Sequence, residues 1–240
     1  MPLCDKCGSE LTGPFCANCG TPQELRRIDW KYISTEIGSV LHFDKGILYS
    51  IRELSIRPGK SIRHFLLHDR HRLVKPIFFI LVCSLIYSVV QQLVHFEDGY
   101  VGYNFDDWKG LAIGHIFTWI GENYGYANIL MALFIGFWIK ILFRKYGYNF
   151  YEIVVLLCFV MGMTMLLYTL FGLVEVLTGW PALQIGANLS FIYCSWAIGQ
   201  FFDGRKKRNY LKGLLSYVFG MISFIVAAAA LGLSIDKLLA

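Results

Sequence analysis

Long apolar runs separated by short polar or basic segments occupy the chain after residue 75. A transmembrane helix needs about 20 predominantly apolar residues to cross the hydrocarbon core of a bilayer. We predict five such helices, at about 76–96, 127–143, 151–177, 182–202 and 211–233. The second run is short and the fourth is rather polar. The pattern indicates an all-α integral membrane helix bundle of about five transmembrane helices over residues 76–240.

A shorter apolar stretch lies between the first two predicted spans. Residues 111–120 are apolar but too few to cross a bilayer. Trp108 and Trp119 could anchor this stretch, because tryptophan favours the interface between lipid and water. We expect a helix that is either re-entrant or interfacial, and the sequence leaves both alternatives open.

The first 75 residues contain no long apolar run. They also lack the basic stretch followed by an apolar core that is typical of a signal peptide, so we expect them to stay in the cytoplasm. Residues 1–22 carry a cysteine motif. Residues 23–75 mix charged and scattered apolar positions, which predicts cytoplasmic amphipathic, juxtamembrane helices. The sequence Arg57-Pro58-Gly59 predicts a break between two of these helices.

The composition supports lipid as the main solvent of this chain. Apolar residues make up 56% and charged residues 16%, whereas a soluble domain carries about 25% charged residues. With five alternating spans, 20 of the 22 Lys and Arg residues fall on one side of the membrane, which basic loops mark as cytoplasmic. This predicts a cytoplasmic N-terminus and an external C-terminus. Because topology accounts for the basic residues, they are no argument for nucleic-acid binding.

Two C-x-x-C-G motifs near the N-terminus indicate a metal site. They are Cys4-Asp5-Lys6-Cys7-Gly8 and Cys16-Ala17-Asn18-Cys19-Gly20, and eight residues separate the two pairs. Four thiolates at this spacing can form a tetrahedral Zn²⁺ site with Zn–S distances of about 2.3 Å. A reducing cytoplasm argues against disulfides, and nothing nearby resembles a thioredoxin-type redox unit. We predict a structural zinc ribbon, in which metal binding supplies the folding energy that so small a core cannot.

A set of residues in the N-terminal part carries a family resemblance. They are Cys4, Cys7, Gly8, Gly13, Phe15, Cys16, Cys19, Gly20, Asp44, Gly46, Leu54, Arg57, Pro58, Gly59, Ile62, Arg70, Arg72 and Pro76. This pattern resembles a bacterial family of uncharacterised multi-span membrane proteins with an N-terminal double-CxxC zinc ribbon, catalogued as a domain of unknown function. The resemblance covers about residues 1–95 and departs at Thr21-Pro22, where a Gln commonly follows the second knuckle. It implies a multi-pass protein of the bacterial inner membrane, and it implies no activity.

Basic residues at the predicted inner ends of the spans are candidate contacts for anionic lipid headgroups, although topology alone would also explain them. The candidates are Arg63, Arg70, Arg72, Lys75, Arg205, Lys206, Lys207 and Arg208. Each basic residue near such a surface contributes about 1 kcal/mol. His64, His68 and His71 lie among the first four. Their spacing could suit a metal, but the neighbouring arginines would repel a cation, so we favour an interfacial helix here.

Polar residues recur in the later spans at helical spacing. Glu175, Gln184, Asn188 and Ser195 form a candidate intramembrane polar site, because polar groups inside lipid usually face protein or water. They could line a transport path or hold helices together by hydrogen bonds. Small residues in the last span, Ser216, Gly220, Ser223 and Ala227, predict a close-packed face, within the bundle or between copies of a homo-oligomer.

The sequence favours a non-enzymatic membrane protein. In this hypothesis the zinc ribbon docks a protein partner or directs assembly, with Asp5, Lys6, Ala17 and Asn18 facing the partner. One alternative is a transporter of small molecules or lipids that uses the polar face of the fourth span. A second is an intramembrane enzyme that modifies lipids, which would need titratable groups clustered at one interface. The chain contains no nucleotide-binding loop and no H-E-x-x-H motif.

Overall fold

The computed structural model describes residues 3–10, 13–22, 46–94 and 111–239. Three predictions fall outside this part of the chain. They are the cytoplasmic helices between residues 23 and 45, the last two residues of the first predicted span, and the anchoring role of Trp108.

Helices account for most of the described residues and no strand is assigned among them, which confirms the all-α prediction. The helices are α1 (Ile47–Ile56), α2 (Pro58–Leu67), α3 (Pro76–Val94), α4 (Ala112–Glu122), α5 (Tyr124–Leu142), α6 (Phe150–Thr178), α7 (Ala182–Asp203) and α8 (Lys207–Leu239). A 3₁₀ turn, Arg144–Tyr146, joins α5 to the segment before α6. The break between α1 and α2 falls at Arg57, as the Arg-Pro-Gly sequence predicts, with Pro58 in the first turn of α2.

Four of the described helices are long and apolar enough to cross a membrane. They are α3, α5 over 125–142, α6, and α8 over 207–237. The helix of the fourth predicted span, α7, forms as expected but is not among these four. Its sequence carries Gln184, Asn188 and Gln200 as well as several small polar residues, which lowers its hydropathy. By length and composition the structure therefore supports four spans where the sequence predicted five.

The central helix of the bundle is α6. A capping box starts it, because Asn149 accepts a hydrogen bond from the Glu152 amide and Glu152 accepts one from the Asn149 amide. Its side chains pack against α3, α5 and α7, and the ring of Phe159 lies 5.5 Å from the rings of both Phe65 and Phe79. In the most apolar stretch of 18 residues, only 28% of α3 and 11% of α8 is buried. Their apolar side chains face outward, as lipid-facing helices do.

Helix α8 packs closely on α5, where the sequence predicts a face of small residues. A Cβ built on Gly220 would lie 2.4 Å from Ile135 Cγ1, so only glycine fits this contact. The indole nitrogen of Trp138 donates to Ser223 Oγ at 2.7 Å. These contacts place the Gly220 and Ser223 part of that face within the bundle.

The two ends of the bundle differ in chemistry. At one end α1, α2, the start of α8 and the last turns of α5 and α7 meet, and Lys212 Nζ donates to the Leu142 carbonyl at 3.1 Å. This end carries the basic clusters. At the opposite end α4, which covers the predicted stretch 111–120, packs on the last third of α8. There Asp236 accepts hydrogen bonds from the amides of Ala112 and Ile113 at 2.6 and 3.4 Å.

Candidate metal centre

The four N-terminal cysteines converge on one point. Their sulfur atoms all lie within 4.8 Å of one another. Cys4 Sγ is 3.6 Å from Cys19 Sγ, and Cys7 Sγ is 3.5 Å from Cys16 Sγ. A tetrahedral site with Zn–S bonds of about 2.3 Å has sulfur atoms about 3.8 Å apart, so the observed spacing fits a zinc-sized ion bound by four thiolates.

Each cysteine pair is held by a short backbone turn, and the two turns repeat each other. In the first, the Gly8 amide donates to the Cys4 carbonyl at 2.8 Å; in the second, the Gly20 amide donates to the Cys16 carbonyl at the same distance. The two glycines have φ angles of 73° and 71°. That left-handed conformation strains any residue with a Cβ, which explains why a glycine follows each C-x-x-C pair.

A hydroxyl group two residues after the second cysteine of each pair contacts its sulfur. Ser9 Oγ lies 3.4 Å from Cys7 Sγ, and Thr21 Oγ1 lies 3.2 Å from Cys19 Sγ. Hydrogen bonding to the Ser9 side chain, and then to its backbone, lowers the pKa of Cys7 to about 6. Thr21 lowers the pKa of Cys19 in the same way. Sequence reasoning missed these two residues, although the repeat of Gly-Ser and Gly-Thr after the cysteine pairs was a signal for them.

The four-cysteine cluster contacts the end of α2 through one polar pair. Asp5 Oδ2, in the first turn of the ribbon, lies 2.9 Å from His68 Nδ1 at the end of α2. Both side chains remain partly exposed. The ribbon is therefore placed beside the segment that leads into α3. Asp5 makes this contact while its side chain stays 69% exposed, and its role in binding a partner protein stays a prediction.

A buried carboxylate of α1, that of Glu53, joins α1 to α2 and to the segment before α3. Glu53 is 7% exposed and accepts hydrogen bonds from Arg57, Ser61 and Arg72 at 3.0–3.2 Å. The Arg57 hydrogen bond is the main reason that the pKa of Glu53 lies below its usual value. The three donors come from different segments, so the carboxylate fixes their relative positions. Sequence reasoning did not single out Glu53.

The predicted histidine group does not form a second metal site. Within the described residues, the four cysteines are the group of metal-ligating side chains that converges. His64 belongs to α2, but the helix ends before His68, and His71 follows beyond it. Burial, and then the charge of Arg72, lower the pKa of His64. The predicted helix therefore does not extend through His68 and His71, and the interfacial position of this segment stays a prediction.

The candidate anion contacts separate into two groups. Arg72 pairs with Glu53, Arg70 and Lys75 lie partly buried in the segment between α2 and α3, and Lys207 is exposed at the start of α8. The other four line two adjoining cavities at the basic end of the bundle. Arg63 and Arg205 line one, and Lys206 and Arg208 line the other.

The four residues of the candidate intramembrane site lie apart. Glu175 accepts a hydrogen bond from the Leu183 amide at 2.7 Å and so caps the first turn of α7. Gln184 and Asn188 are exposed on the outer surface of α7. Ser195 donates to the Tyr210 carbonyl at 2.7 Å, about 18 Å further along α7 at 1.5 Å per residue. Glu175 and Ser195 thus make contacts that join helices.

A buried polar residue that sequence reasoning missed lies in α5. Asn128 is 2% exposed, and no partner within the described residues bonds its side-chain oxygen or nitrogen. Its carboxamide could not be distinguished in the sequence from other polar residues near the end of a predicted span.

Comparison with known proteins supports the resemblance over part of the chain. Residues 44–88 match the model of a family described as a protein of unknown function (DUF3667). The matched segment contains α1, α2, the Glu53 hydrogen bonds and most of α3. No curated protein and no solved structure matches the chain. The chain therefore contains a segment similar to a family without a described function. It joins this segment to a helix bundle whose apolar helices fit a membrane protein and to a four-cysteine cluster that could bind a metal ion.

Proposed function

We propose that this chain is a multi-span membrane protein whose N-terminal ribbon binds one structural zinc ion on the cytoplasmic side and serves as a docking module for a protein partner. The residues that would hold the ion are Cys4, Cys7, Cys16 and Cys19. Four thiolates fill a tetrahedral coordination sphere and leave no position for a substrate or a reactive water. The ion would supply the folding energy of the ribbon and no chemistry.

The observation that carries the docking proposal is the exposure of two apolar side chains on so small a unit. Leu3 and Phe15 each precede the first cysteine of a pair, and each is 63% exposed. Exposed apolar surface on a protein marks an interaction site, and aromatic side chains such as Phe15 are enriched at protein interfaces. The first cysteine turn contacts His68 of this chain, whereas Ala17 and Asn18 of the second turn are exposed. A partner would therefore approach the second turn.

The orientation rests on the charges. The end of the bundle that carries the ribbon contact, α1 and α2 also carries the basic clusters. Basic segments flank the cytoplasmic ends of membrane helices. If α7 crosses together with the four apolar helices, the chain has five spans and its C-terminus lies outside, as the sequence analysis expects.

The test combines metal analysis with site-specific crosslinking. Elemental analysis of the purified full-length protein is expected to give one zinc per chain, lost in a Cys16→Ser/Cys19→Ser variant. A photo-crosslinking residue at Phe15 is expected to give one discrete protein adduct in cells, absent in the double-serine background. The matched control carries the same residue at Phe137, which is 57% exposed on α5. The same crosslinking residue is also placed at Leu3. Zinc-loaded protein that gives no adduct from Leu3 or from Phe15 would refute docking while leaving the metal site intact.

A further inference from the structure

Two adjoining cavities open at the basic end of the bundle. The larger, of about 710 Å³, lies between α2, the turn from α7 to α8 and the first turn of α8. The smaller, of about 380 Å³, lies between the end of α5 and the start of α8. Tyr146 lines both cavities, so they are neighbours across one side chain.

Cations dominate the lining of both cavities. Lys60, Arg63 and Arg205 line the larger cavity, and Lys145, Lys206, Arg208 and Lys212 line the smaller one. Among the lining residues, Asp203 is the sole carboxylate. Within the described chain, Lys60, Arg63 and Arg205 have no carboxylate within ion-pairing distance. The cavities therefore hold a large excess of positive charge.

The carboxylate does not neutralise this excess. Asp203 lies 3.1 Å from Lys206 Nζ and accepts a hydrogen bond from the Arg205 amide at 3.1 Å. The Lys206 contact is the main cause of a lowered pKa at Asp203, so the carboxylate stays ionised and engaged. Asp203 thus orients Lys206 and neutralises little of the charge of the other cations.

The walls of the cavities are fixed by hydrogen bonds. The Lys60 amide donates to Gln200 Oε1 at 3.1 Å, which joins α2 to α7. Asn209, which is 3% exposed, donates to both the Tyr146 hydroxyl oxygen and the Asp203 carbonyl, at 2.8 and 3.0 Å. Because the Tyr146 oxygen accepts this bond, its hydroxyl hydrogen can be donated to a ligand. The site is preformed, with cations lining both cavities and a hydroxyl donor between them.

We propose that these two cavities form a single binding site for a phosphate-bearing anion, in which Arg63 and Arg205 bind the phosphate oxygens and Tyr146 donates a hydrogen bond. Guanidinium groups bind phosphate oxygens through two parallel hydrogen bonds, and the seven cations attract an anionic phosphate group, whether a diester or a pyrophosphate. The neighbouring apolar side chains, Ile141 and Leu211, are 44% and 59% exposed. A phosphate carried on a lipid headgroup could enter from that surface, and a soluble phosphate compound could enter from water.

The experiment measures binding to the full-length protein in a neutral detergent. The probes are phosphatidylglycerol, phosphatidylcholine of the same chain length, and inorganic pyrophosphate, with bound molecules counted by native mass spectrometry. The wild type is expected to bind phosphatidylglycerol or pyrophosphate about tenfold more tightly than phosphatidylcholine. Preference for phosphatidylglycerol without competition by pyrophosphate would identify a lipid ligand. Preference for pyrophosphate alone would identify a soluble one.

The variants separate this site from general surface charge. Arg63→Gln/Arg205→Gln is expected to weaken binding of the preferred probe about tenfold or more, and Arg63→Lys/Arg205→Lys is expected to keep most of it. The control, Arg52→Gln/Arg144→Gln, removes two exposed arginines that line neither cavity and should change affinity less than twofold. Equal loss in the two glutamine variants, no loss in the first, or no preference among the probes in the wild type would overturn the proposal. All four side chains are exposed, and matching thermal unfolding would verify that every variant is folded.

Discussion

Gly59 lies against the backbone of α7 so closely that a Cβ built on it would stand 2.3 Å from the amide nitrogen of Phe201 and 2.5 Å from the carbonyl oxygen of Ala197. Both neighbours are backbone atoms of a helix, so neither can rotate away as a flexible side chain would. The glycine of the Arg-Pro-Gly sequence is therefore a point of very close approach between α2 and α7. Helix α2 belongs to the segment that matches the family model, whereas α7 lies outside that segment.

Substitution of this glycine should separate α2 from α7. Gly59→Ala is expected to lower the free energy of unfolding by about 1–3 kcal/mol or more, the usual cost of overpacking. The measurement is the thermal unfolding temperature in detergent. The control is Gly121→Ala, where no atom of a neighbouring part of the described chain lies within 4 Å of the added Cβ, and a helical alanine should be neutral or stabilising by up to about 1 kcal/mol. Equal effects of the two changes would contradict the contact.

The Glu53 network should make the stability depend on acid pH. The pKa of Glu53 is lowered in the folded state, so its contribution is fully present above the unfolded value of about 4.3 and is lost as the pH falls through the lower folded value. Glu53→Gln is expected to cost about 1–3 kcal/mol at pH 7, less than for a fully buried pair because Arg57 is half exposed. Unfolding temperatures of wild type and variant should therefore approach each other below about pH 4. A constant difference from pH 7 to pH 3 would rule out this linkage.

Two buried asparagines should respond in opposite directions to the same substitution. Asn128 has no hydrogen-bond partner within the described residues, whereas Asn209 donates to Tyr146 and Asp203. An unpaired buried polar group costs about 1–3 kcal/mol. Asn128→Leu is therefore expected to raise the thermal unfolding temperature, and Asn209→Leu is expected to lower it. If both variants were destabilised alike, Asn128 would have a partner that supports the fold.

The metal centre should release its ion on acidification, because protons compete with the metal for thiolates. Cys7 has a pKa of about 6 owing to Ser9. Ser9→Ala should raise that pKa and move the midpoint of metal release to higher pH. The measurement follows zinc release with a colorimetric chelator while the pH is lowered from 8. Ser55→Ala, on the exposed face of α1, is the control and should leave the midpoint unchanged. An unchanged midpoint in Ser9→Ala would show that the Ser9 hydroxyl does not affect the pH at which the metal is released.

The elements that could be predicted are those whose signal is local. A run of apolar residues indicates a spanning helix without reference to its neighbours, so the helices at Pro76–Val94 and Phe150–Thr178 were found within two residues of their ends. The spacing of Cys4, Cys7, Cys16 and Cys19 similarly gives the metal centre, because each pair sits on one turn of backbone. The polar helix α7 shows the limit of this reasoning. Its length is right for a span, but hydropathy alone does not include it among the four apolar helices.

The features that could not be predicted depend on segments far apart in the chain. The burial of Glu53 follows from the packing of α1, α2 and the segment before α3, and its sequence neighbourhood does not differ from that of an exposed acidic residue. The larger cavity joins Lys60 of α2 to Arg205 and Tyr146, which three different segments provide. A basic cluster in the sequence indicates a cytoplasmic loop whether or not such a cavity forms. Only the fold shows that Arg63 and Arg205 line the cavity and that Arg70 and Arg72 do not.

The hydrogen bonds from the first amides of α4 to Asp236 have a consequence for the connectivity of the chain. They bring together two points 124 residues apart, so the segment from Ala112 to Asp236 forms a ring that is closed by hydrogen bonds instead of a peptide bond. Helices α4 to α8 follow one another around this ring, while α1, α2 and α3 are attached to it from outside through α5, α6 and α7. The ring closes beside the packing of Ile113 on Gly232, so this part of the chain begins and ends with two helices, α4 and the last third of α8, that lie side by side.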